Sequence, residues 1–395
     1  MATIDRQIMI VAGEASGDLH AAKLVRAIHK NDPAHNYRFF GATGPRLREA
    51  GVETIFPSDE LSIVGLAEIA RALPTFWRAR NALLAAANSR KPDAVILVDF
   101  PDFNLKLARS LKKQGIRVIY YISPQVWAWR KYRLGTIKRH VDLLLTILPF
   151  EKEWFREHGV SNVQYVGSPL AREVFPTLSQ REFCGLNGLD PLKPVVALLP
   201  GSRQKEIARI LPEMIGAALV LRRKDPNIQF AVAAASRSCR EQISSILETL
   251  TARDSTALKS VRIVENETYN LLYAANAAAV TSGTATMEAG IIGTPLVIVY
   301  KTSRLNYTLL EPLISVEHYG LINLIAGDRV AAELIQDEFT PATLSSEILH
   351  LLDPAENSRH REQLRAATEK LGQGGASKRA AKLIVELISS QEGGS

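Results

Sequence analysis

The chain has 395 residues and a formal net charge of +7, with 46% hydrophobic and 23% charged residues. This composition is typical of a globular protein, and the length exceeds one ordinary core, so we expect two domains. The positive charge favours an anionic partner such as a nucleotide, a phosphorylated substrate or an acidic membrane face. The lack of zinc-finger spacing, or of a basic run with interleaved aromatics, argues against nucleic acid.

Cysteine usage and hydropathy indicate the compartment. The two cysteines, Cys184 and Cys239, give no disulfide framework, which favours a reducing environment. No stretch approaches the roughly 20 uninterrupted apolar residues that a membrane span needs. The N-terminal apolar run at residues 8–12 is too short for a signal peptide. We therefore expect a cytoplasmic protein.

Apolar, strand-like runs alternate with helical patterns along most of the chain. The alternation predicts parallel sheets wrapped by helices, and two successive sets predict two doubly wound, Rossmann-like α/β domains facing a cleft. Breaker residues concentrate between 167 and 194, where we place the joint. After residue 300 we expect no further strands and a helical C-terminal segment. The predicted strands are residues 8–12, 37–41, 94–98, 117–122, 143–147, 163–166, 195–199, 228–233, 261–264, 277–280 and 296–300, and the predicted helices include residues 18–30, 105–114, 151–158 and 207–223.

Two polar motifs follow predicted strands of the first half. In VDFPDFN (98–104), Asp99 stands at a strand's carboxyl end, where a carboxylate needs solvent, a partner or a chemical task. Asp102 and Asn104 open the next helix, and Asp102 could equally be a simple cap. In YYISPQVWAWR (120–130), Trp127 and Trp129 predict the wall of a site, with packing beneath the interdomain face as an equal alternative.

Two motifs of the second half each leave a strand, pass through a small-residue turn and open a helical pattern. They are LLPGSRQKE (198–206) and TSGTATME (281–288). A helix N-terminus presents unpaired N–H groups and the positive end of the helix dipole, so both turns suit a phosphate or diphosphate. Arg203 adds a guanidinium fork, and Glu288, about one helical turn beyond Thr284, can accept from ribose hydroxyls. The pair predicts a nucleotide-diphosphate site, although ordinary helix caps are the alternative.

Together with GEASGD (13–18) and INLIAGDR (322–329), these motifs strongly resemble, in this order, those of lipid-A-disaccharide synthase. The resemblance covers almost the whole chain and implies the two-domain glycosyltransferase B fold of glycosyltransferase family 19. It implies transfer from UDP-2,3-diacylglucosamine to 2,3-diacylglucosamine 1-phosphate (lipid X). The expected products are the β-1′,6-linked lipid A disaccharide 1-phosphate, formed with inversion, and UDP.

The resemblance also implies roles for individual residues. Asp99 becomes the expected general base and Arg203 the expected partner of the departing diphosphate. We expect the acceptor domain at residues 1–175, the UDP-sugar domain at 190–340, and C-terminal helices at 341–395 that pack back across the domains. The expected UDP-sugar site comprises Ser202, Arg203, Ser282, Gly283, Thr284, Glu288 and Asn323. The expected acceptor side of the cleft comprises Gly13, Glu14, Ser16, Gly17, Asp102, Asn104, Ser123, Trp127 and Trp129.

Two positions depart from the family pattern G-H-x-x-x-D after the last strand of the first domain. Ser168 stands in place of the histidine and Arg172 in place of the acid, so no role that those side chains have in relatives is carried over to this chain. The chain has no D-x-D triplet, and its eight histidines show no metal-ligand spacing. We therefore expect no metal and no cofactor, with Arg203 and the helix ends replacing a cation.

Residues 63–81 combine an apolar helical face with several arginines. This composition predicts an interfacial helix or an acyl-chain groove at an anionic membrane surface, and we expect peripheral association with the inner face of the cytoplasmic membrane. An ordinary core-facing helix is the alternative. The expected lipid-facing residues are Ile69, Leu73, Phe76 and Trp77.

Two rival functions stay open at this point. One is a transferase or epimerase of the same architecture acting on UDP-N-acetylglucosamine, and the other is a catalytically idle sugar-nucleotide sensor. The sequence also leaves the oligomeric state open, and a homo-oligomer is one of the states it allows.

Overall fold

A computed structural model describes residues 5–61, 66–251, 261–304, 307 and 317–390, without the side chains of residues 66–72 and 251. Within these ranges the chain forms two compact units, each built on one parallel sheet. The first unit comprises residues 1–169 and 374–395, and the second comprises residues 170–373.

The first unit has a seven-stranded sheet in the order β3-β2-β1-β4-β5-β6-β7. All of its strand pairs are parallel, and central strands such as AVILV at 94–98 are fully buried, as expected when helices cover both faces. Its strands are β1 (Asp5–Ala12), β2 (Asn36–Thr43), β3 (Glu53–Pro57), β4 (Ala94–Val98), β5 (Val118–Tyr121), β6 (Leu143–Thr146) and β7 (Val163–Tyr165). The helices that follow them are α1 (Ala15–Asn31), α2 (Pro45–Glu49), α3 (Leu66–Arg90), α4 (Pro101–Lys113), α5 (Leu134–His140) and α6 (Glu151–Glu157).

The second unit repeats the plan with a six-stranded parallel sheet in the order β10-β9-β8-β11-β12-β13. Its strands are β8 (Val195–Leu199), β9 (Gln229–Ala234), β10 (Arg262–Glu265), β11 (Ala277–Thr281), β12 (Leu296–Tyr300) and β13 (Glu333–Ile335). Its helices are α7 (Gln180–Leu186), α8 (Gln204–Lys224), α9 (Arg237–Thr251), α10 (Thr268–Ala274), α11 (Thr284–Ile292), α12 (Leu321–Ala326), α13 (Pro341–Leu352) and α14 (Pro354–Glu369).

The last helix, α15 (Ala376–Ser389), belongs to the first unit. Its alanine and isoleucine face packs against α1 in the same apolar core, with Ala380 and Ile384 fully buried. Arg379 adds a hydrogen bond of 2.8 Å from its Nε to the carbonyl of Val166. The chain therefore returns to its first unit after completing the second.

The predicted alternation of buried strands and helices is confirmed, but two edge strands differ from the expectation. The sequence predicts no strand at 53–57 or after residue 300, whereas β3 pairs with β2 and β13 pairs with β12. Both strands are short and at least partly exposed, so they lack the continuous apolar run that marks a central parallel strand.

Candidate active site

Each sheet has one point where the strand order reverses. In the first unit this point lies between β1 and β4, and in the second between β8 and β11. Ala12 pairs with Val98, so the GEASGD and DFPDFN segments leave the sheet side by side. Leu199 likewise pairs with Val280 before the GSR and SGT turns. Because ligands of open α/β sheets bind at the carboxyl ends of the strands at such a reversal, all four motifs occupy expected ligand positions.

Asp99 lies in an unusual backbone turn directly after β4. Asp99 and Phe100 both have φ values of +48°, in the left-handed region that non-glycine residues seldom adopt. The carbonyl of Asp99 accepts hydrogen bonds from the Tyr120 hydroxyl at 2.6 Å and from Asn104 Nδ2 at 2.8 Å. Asn104 therefore acts through the backbone of Asp99, and its amide N–H groups are used inside the unit.

Backbone strain is concentrated at this edge of the sheet. Seven non-glycine residues in the described ranges have positive φ, and four of them are Asp99, Phe100, Ile122 and Arg130, all after β4 or β5. Ile122 is β-branched, for which this conformation is especially unfavourable. Residues held in this way cost about 1–3 kcal/mol each, and they cluster at functional sites.

The surroundings of Asp99 change its acidity. Burial raises the pKa of its carboxyl, the negative charge of Glu14 raises it further, and the N–H of Phe100 offsets part of the rise. The resulting pKa is about 6. A carboxylate with this pKa is still mostly ionised at neutral pH but is a stronger base than an ordinary aspartate.

The GEASGD segment combines close packing with exposed polar groups. A Cβ at Gly13 would lie 2.1 Å from the ring of Phe100, so only glycine fits beside the strained turn. Glu14 and Ser16 are exposed, whereas Gly17 is buried. Asp18, which the sequence analysis did not select, is buried and accepts N–H groups of the α2 start, including that of Gly44 at 2.8 Å. In the sequence Asp18 is simply a charged residue in a predicted helix, and only the fold shows that this residue is buried.

The two tryptophans of the WAW segment have different positions. Trp127 is 3% exposed, and its Nε1 donates to Glu151 Oε1 at 3.0 Å, which favours the packing alternative over a place in the wall of a site. Ser123 is also buried and lies beside the same carboxyl. Burial raises the pKa of Glu151, whereas these neighbours and two backbone N–H groups lower it. Trp129 is 39% exposed and carries the guanidinium of Arg130 at 4.0 Å from its ring centre.

Asp102 lies in the first turn of α4 and pairs with two arginines. Its Oδ1 accepts from Arg130 at 2.7 Å and also from Arg133. The Asp102 side chain is 70% exposed, whereas that of Arg133 is only 8% exposed. The sequence predicts Asp102 and Trp129 as site residues but gives no signal for these arginines, because their pairing depends on the loop geometry after β5.

In the second unit, the first turn leads into α8. Gly201 has a φ of +104°, Ser202 and Arg203 are exposed, and Arg203 is the residue before the helix. The Arg203 guanidinium is 76% exposed and lies 3.0 Å from Glu206 Oε1. An exposed pair of this kind contributes little stability, so the guanidinium can be redirected toward an anion at low cost.

The second turn leads into α11, and its residues divide into two groups. The Ser282 hydroxyl donates to the carbonyl of Tyr319 at 2.6 Å, and the Ser282 N–H donates to the carbonyl of Val299 at 2.9 Å. Both donors of Ser282 are therefore used in hydrogen bonds inside the unit. Gly283 and Thr284 are exposed at the helix start, where the first backbone N–H groups lack intrahelical partners. The helix start at these two residues is therefore open to solvent.

Glu288 lies further along α11 in a half-buried position. Burial raises the pKa of its carboxyl, and the Tyr269 hydroxyl, which donates to Oε1 at 3.0 Å, partly offsets the rise. One carboxylate oxygen is thus oriented by Tyr269 while Oε2 stays available as an acceptor. This arrangement suits recognition of a hydroxyl pair.

Asn323 does not present its amide to a ligand in this structure. It is fully buried, and its Nδ2 donates to the carbonyl of Ala331 and to Glu333 Oε1, each at 2.8 Å. The Glu333 carboxylate also accepts the N–H groups of Tyr319 and Gly320, each at 2.9 Å. Because Tyr319 anchors Ser282, this network argues against direct contact of Asn323 with a nucleotide and for a positioning role.

A cavity of about 910 Å³ opens beside this network, at the carboxyl ends of β12 and β13. Its lining includes Tyr319 and Glu333 together with Lys301 and Arg329, and Lys301 pairs with Glu213 at 2.5 Å. The volume lies in the range of small-molecule sites.

The remaining predicted positions are partly described. Leu73 and Trp77, one helical turn apart on α3, are 51% and 61% exposed, whereas Phe76 packs against Phe100 and Phe103 with ring centres 6.1 and 6.0 Å apart. The side chain of Ile69 lies outside the described residues.

Of the two positions that depart from the family pattern, Ser168 is buried and Arg172 is exposed. Among the described helices none is both long and apolar enough to cross a membrane. The described residues contain no group of three or more side chains arranged to hold a metal ion.

Comparison with known proteins matches nearly the whole chain to one family. A family model described as Lipid-A-disaccharide synthetase matches residues 8–388. The lipid-A-disaccharide synthase of Geobacter sulfurreducens is 42% identical over 386 residues, covering 98% of each chain. That of Syntrophus aciditrophicus is 44% identical over 385 residues, covering 96% of this chain and 97% of the relative.

Solved structures share the fold at much lower identity. A putative UDP-N-acetylglucosamine 2-epimerase from Listeria monocytogenes has a TM-score of 0.66 at 15% identity, with 98% of each chain covered. MnaA of S. aureus with UDP has a TM-score of 0.64 at 13% identity and 97% coverage of each. The calicheamicin glycosyltransferase CalG4 has a TM-score of 0.58 at 16% identity and 98% coverage of each. These likenesses show the fold alone, and they confirm the predicted class of two Rossmann-like units of the glycosyltransferase B type.

Proposed function

The chain belongs to the lipid-A-disaccharide synthetase family, which catalyses the disaccharide-forming step of lipid A biosynthesis, and on that premise we propose how its residues perform the step. The donor is UDP-2,3-diacylglucosamine and the acceptor is 2,3-diacylglucosamine 1-phosphate. The observation that carries the proposal is the carboxyl of Asp99, held in a strained turn at a sheet reversal with a pKa of about 6.

Asp99 acts as the general base in a single displacement. Its carboxylate takes the proton of the acceptor 6-hydroxyl while that oxygen bonds to the anomeric carbon of the donor. The bond from this carbon to the diphosphate breaks at the same time, and UDP leaves with the electron pair. One displacement inverts the anomeric centre, so an α-linked donor gives the β-linked disaccharide.

The local structure suits this role of Asp99. Its backbone carbonyl is fixed by Tyr120 and Asn104, so the main chain that carries the carboxyl is held in place. A base with a pKa near 6 combines a large ionised fraction at neutral pH with useful basicity. Glu14 is exposed nearby and adds negative charge that favours proton uptake by Asp99.

The leaving UDP is stabilised by the two turns of the second unit. After β8, the exposed guanidinium of Arg203 and the N-terminus of α8 bind the diphosphate. After the neighbouring strand β11, the backbone N–H groups of Gly283 and Thr284 at the start of α11 bind it as well. Glu288 accepts from the ribose hydroxyls through the oxygen that Tyr269 leaves available. With these groups in place of a cation, we propose that the reaction needs no metal.

We also assign the exposed pair Leu73 and Trp77 to the lipid surface. They lie on one face of α3, and the Arg80 guanidinium lies 5.8 Å from the Trp77 ring, which places a cation beside the apolar pair. This combination suits acyl chains next to anionic headgroups. Phe76 is excluded from this role because it packs against Phe100 and Phe103.

Product analysis tests the function. The purified protein is incubated with the acceptor and either UDP-2,3-diacylglucosamine or unacylated UDP-N-acetylglucosamine, and the products are analysed by mass spectrometry and NMR. We expect a β-linked disaccharide 1-phosphate from the diacylated donor only. An α-linked product would contradict the single displacement, and turnover of the unacylated donor to a 2-epimer would contradict the proposed function.

A further inference from the structure

The pair of arginines that meets Asp102 forms a compact cationic site next to the proposed base. We define the arginine cluster as Arg130 and Arg133 with Asp102 and Trp129. Both guanidiniums donate to the same oxygen, Asp102 Oδ1, from the loop after β5 to the first turn of α4. The ring of Trp129 lies under Arg130 at 4.0 Å and also faces Arg133 at 5.9 Å.

The charges of the arginine cluster do not balance. Two guanidiniums share one carboxylate oxygen, and Lys131 adds a third positive charge in the same short helical turn (Lys131–Arg133). Arg133 is 8% exposed, and a buried guanidinium is costly unless its donors are satisfied. The Asp102 side chain itself is 70% exposed. The cluster therefore has spare cationic donors that a multivalent anion could satisfy better than one carboxylate.

The arginine cluster is also close to Asp99 without touching it. Tyr120 is a neighbour of both, and its hydroxyl donates to the Asp99 carbonyl at 2.6 Å. The charges of Asp99, Asp102 and Arg133 all act on the Tyr120 phenol, which burial gives a raised pKa. Asp102 follows Asp99 by three residues, across the start of α4.

We propose that the arginine cluster binds the phosphate of the sugar-phosphate acceptor and thereby orients its hydroxyl toward Asp99. This inference rests on the proposed function and adds the subsite that selects a phosphorylated acceptor. The acceptor carries its 1-phosphate on C1 and its 6-hydroxyl on the carbon attached to C5, on either side of the ring oxygen. An anion site and a base that are neighbours but separate therefore match such a substrate. A phosphomonoester carries a charge of about −1.5 to −2 and three acceptor oxygens, so it can satisfy both guanidinium forks.

In this account Asp102 holds the two guanidiniums in place when no acceptor is bound. When the acceptor binds, its phosphate accepts hydrogen bonds from the guanidiniums that otherwise donate to Asp102. The N-terminus of α4 adds to the positive potential at this site. Trp129 supplies an exposed apolar face beside the phosphate site, where the sugar ring can pack. The arginines contact the substrate but take no part in proton transfer.

The test compares phosphorylated and unphosphorylated acceptors. In Arg130→Gln, we expect the KM for 2,3-diacylglucosamine 1-phosphate to rise about 10- to 100-fold, the effect of losing a charged hydrogen bond. With the same acceptor lacking its phosphate, variant and wild type should have KM values within about threefold. Arg139→Gln, an exposed arginine on α5 that donates to the carbonyl of Gly135, is the matched control and should behave as wild type with both acceptors.

A binding measurement separates this inference from the proposed function. Glucosamine 1-phosphate is titrated calorimetrically into wild type, Arg130→Gln and Arg133→Lys, without any donor. Arg133→Lys keeps the charge at the buried position but loses the fork. Weaker binding in both variants, with melting temperatures near that of wild type, supports the phosphate site even if the wild type forms no disaccharide. Unchanged binding in Arg130→Gln, or an equal loss of turnover with both acceptors, overturns the inference.

Discussion

Replacing Asp99 by Asn should change the pH dependence of stability in a direction fixed by its surroundings. The pKa of Asp99 rises from 3.8 to about 6, a shift of roughly two units worth about 3 kcal/mol at 1.36 kcal/mol per unit. The side chain is mostly buried but is not fully withdrawn from solvent, and screening by that solvent should reduce the effect to about 1–2 kcal/mol. The raised pKa means that the neutral carboxyl fits the folded state, so its stabilising contribution is present below pH 4 and is lost as the pH rises through 6. The Asn variant carries no charge at any of these values.

We therefore expect Asp99→Asn and wild type to have similar stability near pH 4, and the variant to be more stable by about 1–2 kcal/mol at pH 7.5. In a unit of this size, that difference corresponds to a melting temperature higher by roughly 2–8 °C. Scanning calorimetry between pH 4 and 8 measures it, with Glu153→Gln, an exposed carboxylate on α6, as the control. A gap that is absent at pH 7.5, or that opens only at low pH, would refute the assigned environment of Asp99.

Three further predictions concern the second unit and the lipid surface. Arg203→Ala should lower turnover severely, and Arg203→Lys should be little better because the guanidinium fork is lost. Wild-type activity should survive EDTA. A full loss of activity in EDTA that magnesium or manganese restores would contradict the metal-free account. Glu288→Gln should raise the KM for the donor about tenfold with kcat within a few-fold of wild type, and unchanged donor affinity would remove its ribose role. Leu73→Ser with Trp77→Ser should weaken binding to anionic liposomes at a nearly unchanged melting temperature, whereas unfolding of this double variant would place the two residues in the core.

The central part of the fold could be predicted from the sequence because buried parallel strands are continuous apolar runs. The strand at 94–98 and the strand at 296–300 were predicted with their observed bounds. The edge strand β13 is not predicted because three residues, one of them the charged Glu333, are too short to form such a run. Its pairing with β12 is decided by tertiary contacts of Glu333 that no local pattern records.

The candidate site was predictable to the level of motifs but not of individual contacts. A polar residue after a buried strand is enough to locate Asp99, since parallel strands end at one edge of the sheet. The sequence cannot tell Trp127 from Trp129, because which ring is buried depends on the distant Glu151. The motif around Asn323 predicts a contact with the nucleotide, but the Asn323 amide donates to Ala331 and Glu333 within the unit. The partners of Asp102 lie about 30 residues away and became visible only in the folded loop.

The role of Asp99 as general base is the central claim, and the rate of disaccharide formation by Asp99→Asn tests it most directly. Initial rates are measured by mass spectrometry over a range of donor and acceptor concentrations across pH 5–8, so that kcat and kcat/KM are both obtained, alongside UDP affinity by calorimetry. We predict turnover about 10²- to 10⁴-fold below wild type, UDP affinity unchanged, and loss of the rise in wild-type kcat/KM near pH 6. Turnover of the variant within tenfold of wild type, with the same rise near pH 6, would contradict the account.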